Sequence, residues 1–355
     1  MPQRRSARAE TIDIVSIVPR QGPGGIIAPS CSAALSLAVA ELNSATGILG
    51  REIKLTTIDG GRDPNEVATE VGALLATGMV GAITGWHTSA VRRAVGRAVD
   101  GRVPYLYATD HEGLRDEHPG VLMVGEHPER QTVPAMAWLR AELGVRTWAV
   151  IGNDYIWPRQ TVRAVRANLP SPTDLVLERY VPLGTTDFTD FLSDPILNAV
   201  DGVLVLMVGA DTVRFNRAFA ATGRDLSTVR LSPAVDENVL LSAGPTANKN
   251  LYVASSFFLD KQADEARQAR YTAHNGEFAP VLTTFSASTY EAMHLLGRLT
   301  DRVGTLDVEA LSAAMAGGVI LDGPGTRRGF IGNQAIGPAF LARADDVEFD
   351  IIDRL

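Results

Sequence analysis

Residues 201–208 read DGVLVLMV, a nearly unbroken apolar run followed at 212–222 by a helix-periodic stretch. A continuous run of this length predicts a strand covered on both faces, and the stretch after it predicts the covering helix of a β-α unit. The same alternation extends outward in both directions. Toward the C terminus come short β-rich runs at 229–231 and 251–255; toward the N terminus come a strand at 175–180, a helix after Pro158, a strand at 148–152 and a helix at 131–143. An earlier series precedes these, with a strand at 12–18, a Gly/Pro loop at 21–30, a helix through Leu35, Leu37, Val39 and Leu42, and an alternating strand at 52–59. Asp63-Pro64-Asn65-Glu66 then supplies a cap, an N1 proline and a capping-box glutamate, the start signal of a helix. Strands at 80–84 and 103–107 flank a helix at 91–99. After the second series the pattern turns helical at 263–274, 286–303 and 307–315, and a glycine-rich, strand-like tail closes the chain at 323–355.

Two β-α series in 355 residues exceed what one hydrophobic core usually serves. The expectation is therefore an α/β protein of two Rossmann-like, doubly wound lobes with a cleft between them. With 45% hydrophobic and 21% charged residues the whole chain should fold. A net charge of -8 without a basic stripe argues against nucleic acid as partner. One cysteine, Cys31, excludes an internal disulfide framework and reads as a packed small residue. No run approaches the ~20 apolar residues of a membrane helix. Arg4, Arg5 and Arg8 precede an apolar stretch broken by Asp13 and Ser16, which reads as a strand and not as an export signal, so the chain as written is expected in the cytoplasm. Removal of an export signal would place it outside the cytoplasm.

Catalytic motifs are missing. The glycines of Gln21-Gly22-Pro23-Gly24-Gly25 follow a strand but lack the spacing of a phosphate or dinucleotide loop and read as a cleft-edge loop; no G-x-S-x-G elbow occurs. His87, His111, His118 and His127, near Asp110 and Glu112, have no metal-site spacing and read as loop or surface histidines; neither metal nor cofactor is expected. The turn at 323–329, with Arg327 and Arg328, reads as a solvated loop.

In doubly wound sheets ligands lie beyond the carboxyl ends of the strands, so the informative residues follow each predicted strand. These are Trp86, Thr88 and Ser89; Tyr107 and Thr109; Tyr155 and Trp157; and Asp236 and Glu237. Aromatic walls at Trp86, Tyr155 and Trp157 would exclude water while a few polar groups orient a small solute. An acid at 236 or 237 facing the cleft would hold an ammonium group and favour an amino acid; otherwise a neutral amide or urea fits better, and both acids would be a solvated helix start.

At these segments the chain resembles the type I periplasmic-binding-protein superfamily, in particular its branched-chain amino acid, urea and short-amide group. The resemblance is carried by Leu42-Asn43 with Gly47 and Gly50-Arg51, by Gly85-Trp86 through Arg92-Arg93-Ala94-Val95, by residues 152–159 (GNDYIWPR), by 181–188 (VPLGTTDF) and by Tyr290-Glu291-Ala292. It implies a three-stranded hinge, closure on ligand, a first lobe of 11–125 plus 258–322 and a second of 126–257 plus 323–355. It further implies that Ser89, Thr88 and Thr109 hold a carboxylate or amide and that Tyr155 is an aromatic wall. Departures from the pattern lie at His87, Trp157, 234–237 (AVDE) and 254–257 (ASSF). The function expected first is non-enzymatic sensing of a short amide, urea or amino acid in the cytoplasm, acting on a regulatory protein. The alternative is the substrate-binding component of an ABC transporter with a permease as partner. A homodimer would be unsurprising for the group. An enzyme of small amides, and a lobe pair with a degenerate cleft, are the readings of other classes.

Overall fold

The computed structural model describes residues 11–113, 118–169, 173–259, 265–323, 326–332 and 334–355. The first series forms β1 (Thr11–Val18), α1 (Ala28–Ala45), β2 (Glu52–Asp59), α2 (Pro64–Ala76), β3 (Val80–Gly85), α3 (Ser89–Val99), β4 (Tyr105–Tyr107) and β5 (Val121–Met123). Its strands pair in the order β2-β1-β3-β4-β5, all parallel. The helix start read at Asp63 holds: its carboxylate accepts from Asn65 N–H at 2.8 Å, and Pro64 opens α2.

The second series forms α4 (Thr132–Leu143), β6 (Thr147–Asn153), α5 (Ile156–Asn168), β7 (Asp174–Val181), α6 (Thr189–Leu192), β8 (Gly202–Leu206), α7 (Ala210–Ala221), β9 (Val229–Ser232), α8 (Glu237–Ala243) and β10 (Leu251–Ser255). β8, the strand of the DGVLVLMV run, is buried at every residue: Leu204 and Leu206 pack into one core layer, Val203 and Val205 into the other. This two-sided burial is what an unbroken apolar strand requires. β5 and α6 carry too little periodicity in three and four residues to be read, α8 is legible only at its start, Asp236-Glu237, and α5 begins two residues before Pro158, which a first helical turn tolerates. The Gly/Pro loop is shorter than expected, since a tight turn occupies Pro23–Ile26 and α1 starts at Ala28.

Three helices follow, α9 (Glu265–Asn275), α10 (Thr284–Val303) and α11 (Val308–Ala316), then β11 (Val319–Gly323), β12 (Thr326–Ile331), β13 (Gln334–Ile336), β14 (Phe340–Asp345) and β15 (Glu348–Arg354). Ala292, Met293, Leu295, Leu296 and Leu299 of α10 share the core of the first sheet with Ile12, Ile14 and Leu35. The larger sheet runs β15-β14-β10-β9-β8-β6-β7, with β14 and β15 added antiparallel. Its parallel part, β7-β6-β8-β9-β10, repeats the order of the first sheet.

The chain thus passes between lobes after β5, after β10 and between β13 and β14. The strands β11, β12 and β13 form a small sheet of their own, and Val319, Leu321, Phe330 and Ala335 join the first lobe's core. The return therefore falls near residue 337, whereas the division expected at 323 assigns these strands to the second lobe. The tail's strand character was legible, but which apolar layer covers it depends on contacts with β5 and α10, far away in the chain.

Candidate functional site

In each sheet the strand order reverses between the first strand and the third, so β1/β3 and β6/β8 are the switch points where a crevice opens beyond the strand ends. The two crevices face each other. Between them lies a small pocket lined by Ile27, Trp86, Thr88, Tyr107, Thr109, Asp110, Tyr155, Trp157, Val208, Ala234 and Phe285. Trp86 and Thr88 follow β3, Tyr107 to Asp110 end and follow β4, Tyr155 and Trp157 follow β6, Val208 follows β8 and Ala234 follows β9. The mouth is drawn together by contacts across the lobes. The Pro23 carbonyl lies against Gly209, and Asn238 donates to Ser30 Oγ at 2.9 Å. The loop at 21–25 is accordingly a cleft-edge element, and Cys31 is a fully buried packing residue whose thiol burial keeps protonated.

Six of the nine residues read from the sequence line this pocket. Trp86 is 3% exposed and packs its ring against Phe285 at 5.2 Å, while Tyr155 and Trp157 stack at 6.4 Å. Thr88 caps α3, its hydroxyl oxygen accepting from Val91 N–H at 3.5 Å. Thr109 Oγ1 accepts from His87 N–H at 2.9 Å, and Tyr107 donates to the His87 carbonyl at 2.8 Å. Residues 86–88 are thereby clamped to the end of β4. The other three lie elsewhere. Ser89 is buried within α3 and is not among the lining residues. Asp236 caps α8, accepting from Val239 N–H at 2.9 Å, and is 1% exposed, not solvated. Glu237 accepts from Leu259 N–H at 2.9 Å and so ties α8 to the chain leaving the second lobe.

The electrostatics follow from burial. Asp110 is 9% exposed; its Oδ1 accepts from Glu126 N–H at 3.3 Å, and its Oδ2 has no hydrogen-bond partner. Desolvation first, then the nearby Glu126 carboxylate, push its pKa up to about 7, with Gln131 and Arg328 pulling the other way. Asp236 rises to about 6, chiefly from burial. His87 falls to about 3 because burial disfavours its cation, so at neutral pH it is a neutral ring between the Ile17 carbonyl and the Tyr105 hydroxyl.

Two sequence readings are corrected here. His87 and His111 are fully buried and His127 nearly so, not surface groups: the His87 ring bridges the Ile17 carbonyl of β1 and the Tyr105 hydroxyl of β4, and His111 Nδ1 accepts from Gly113 N–H at 3.1 Å. Among the described residues no three His, Cys, Asp or Glu side chains converge as metal ligands would. Arg328 is likewise no solvated turn residue; it is 6% exposed and donates to Glu126 at 2.6 Å and to Glu291 at 2.7 Å. Its partners come from the first crossing and from α10, distant segments that no local pattern links.

Five pocket residues were not read as binding residues: Ile27, Asp110, Val208, Ala234 and Phe285. Asp110, Val208 and Ala234 obey the strand-end rule that found the others. Ile27 and Phe285 sit at the starts of α1 and α10 and reach the pocket only through packing.

Two doubly wound lobes, crossed three times by the chain and closing on a pocket at their paired switch points, define a two-lobed solute-binding architecture. The chain belongs to the periplasmic binding protein family, whose pattern matches residues 11–348. Among solved structures it is similar to LivJ, the branched-chain amino acid transporter substrate binding protein of Streptococcus pneumoniae, solved with isoleucine: 17% identity over 96% of this chain and 99% of that one, TM-score 0.82. It is similar also to a solute binding protein of an ABC transporter from Rhodopseudomonas palustris HaA2, solved with p-hydroxybenzoic acid, at 18% identity over 97% of each chain and a TM-score of 0.86. An ABC transporter substrate-binding protein from Sphaerobacter thermophilus is 20% identical over 98% of each chain, TM-score 0.81. At these identities the likeness is one of fold.

Proposed function

We propose that this chain is the solute-capturing component of an ABC transporter, binding one small molecule between its lobes without chemical change and handing it to a permease. The observation that carries the reading is the pocket itself, whose aromatic walls come from both lobes, so a solute that touches Trp86 and Tyr155 together favours the closed form. The lining includes no histidine, cysteine, lysine or arginine, and it lacks the converging nucleophile, base and stabiliser that hydrolysis of an amide demands. The three similar structures described above are named as substrate or solute binding proteins of transporters, which supports this role over the cytoplasmic amide sensor that headed the sequence reading.

A thermal-shift screen with amino acids, short amides, urea and hydroxybenzoates tests the reading, because a ligand of the folded state alone raises its stability by about 2.7 kcal/mol at a hundred times Kd. Tyr155→Ala removes half of the second lobe's aromatic wall and is expected to weaken the best ligand about tenfold or more in calorimetric titration. Unchanged affinity would take Tyr155 out of the site, and measurable turnover of any amide would overturn the non-catalytic reading.

A further inference from the structure

Acids buried around the pocket are each engaged by a cation or by backbone N–H groups, and Asp110 is the one that also lines it. Glu112 pairs with Arg92 at 2.9 Å, and Glu126 and Glu291 share Arg328. Asp236 and Glu237 are engaged with α8 and the chain beyond it. Asp110 lines the pocket, is nine-tenths buried, and has one carboxyl oxygen without a partner. No ion pair reaches it among the described residues. Once ionised it would be a buried negative charge without an ion-pair partner at the pocket wall, a costly state unless something cationic enters.

What surrounds Asp110 suits such a guest. Trp86 and Phe285 form one pair of rings and Tyr155 and Trp157 the other, on opposite lobes. Tyr107 is partly spoken for, since Arg92 lies 4.8 Å above its ring. Ring faces carry negative potential and attract alkylated or primary ammonium groups, most strongly where water is excluded. A solute carboxylate placed at the same end would meet Asp110 as a like charge, with no cation in the lining to offset it.

We propose that Asp110 and the two aromatic pairs form a cage for an ammonium group, so that the captured solute is a small amine-bearing compound and neither a neutral amide nor a simple carboxylic acid. The assignment rests on the receptor reading and specifies its ligand class. It moves the ammonium partner from Asp236 or Glu237, where the sequence suggested it, to Asp110.

The test is calorimetric titration of the full chain with probes matched in size, isobutylammonium, isobutyramide and isobutyrate, together with L-leucine and 4-hydroxybenzoate. Ammonium-bearing probes are expected to bind at least about tenfold more tightly than the amide and the carboxylates, and Asp110→Asn to weaken them about a hundredfold, as loss of a buried charge-assisted bond does. A second readout is pH. The groups facing Asp110 are Glu126, Gln131, Arg328 and, from the other lobe, Tyr155, while His111 is held neutral by burial. A cation drives the proton off Asp110, so affinity should rise up to about tenfold per pH unit below about 7 and level off above it, and D110N should abolish the slope. Preference for the amide or a carboxylate, or ammonium binding that D110N leaves unchanged, overturns the cage and leaves the receptor reading standing. Failure of every probe to bind overturns the receptor reading, and the cage falls with it.

Discussion

Replacing Arg328 by methionine should lower the stability of the folded chain by about 3–5 kcal/mol, the range for breaking a buried ion pair from one side. The guanidinium is 6% exposed and binds Glu126 on the first crossing and Glu291 on α10 while itself belonging to β12. Methionine fills much of the volume but leaves two carboxylates facing each other with their main cation gone, since Arg130 approaches Glu126 only at 3.8 Å. Urea unfolding followed by circular dichroism measures the loss. The triple variant E126Q/E291Q/R328M removes all three charges together and should regain most of it, because the cost lies in uncompensated charge rather than in lost packing. A single variant as stable as the parent, or a triple variant worse than the single, would show that the network does not behave as a buried triad. Arg328 joins three segments at the root of the first crossing, so R328M should also loosen the attachment of that crossing to its lobe. The expected sign is faster hydrogen exchange at residues 124–131.

Gly85→Ala carries the second large effect. Gly85 ends β3 at φ +129°, a backbone region that side chains rarely adopt, and a Cβ there would sit 2.1 Å from the Ile17 carbonyl oxygen on the paired strand β1. Backbone cannot give way as a side-chain tip can, so strain and overlap together should cost about 2–5 kcal/mol. The next residue is Trp86, and Thr88 follows, so the displaced strand end carries the pocket wall with it. Ligand affinity should therefore fall at least about tenfold alongside stability. Gly72→Ala is the control: it lies within α2 with open space around it, and alanine there should stabilise by about 0.5–1 kcal/mol. If G85A matched G72A in stability and binding, the closeness of β3 to β1 would not be what positions Trp86.

The site was legible wherever it obeyed a local rule. Trp86, Tyr107, Tyr155 and Trp157 were found because each lies at or just after the end of a strand whose apolar run is visible in a few residues, and a ligand crevice opens beyond such ends whatever the rest of the chain does. Asp236 was placed correctly at a helix start, but its burial was not visible, because covering it takes groups such as Thr283 from outside its own segment. Asp110 stood beside Thr109 in the same loop and was passed over for the histidines around it, since an orphaned carboxyl oxygen is a property of the whole neighbourhood and not of a residue type.

Sequence alone, then, determined the two β-α series, their parallel sheets and the strand ends that face a ligand, all consequences of hydrophobic periodicity within ten or so neighbouring residues. Tertiary structure decided that β11 to β13 belong with the first lobe, that Phe285 and Ile27 wall the pocket, and that Arg328 and Asp110 are buried, the one paired and the other not. Burial and charge pairing are set by groups far apart in the chain, 202 positions for Glu126 and Arg328, and Coulomb energy in a dry interior depends on distance in space, which the order of residues along the chain does not contain.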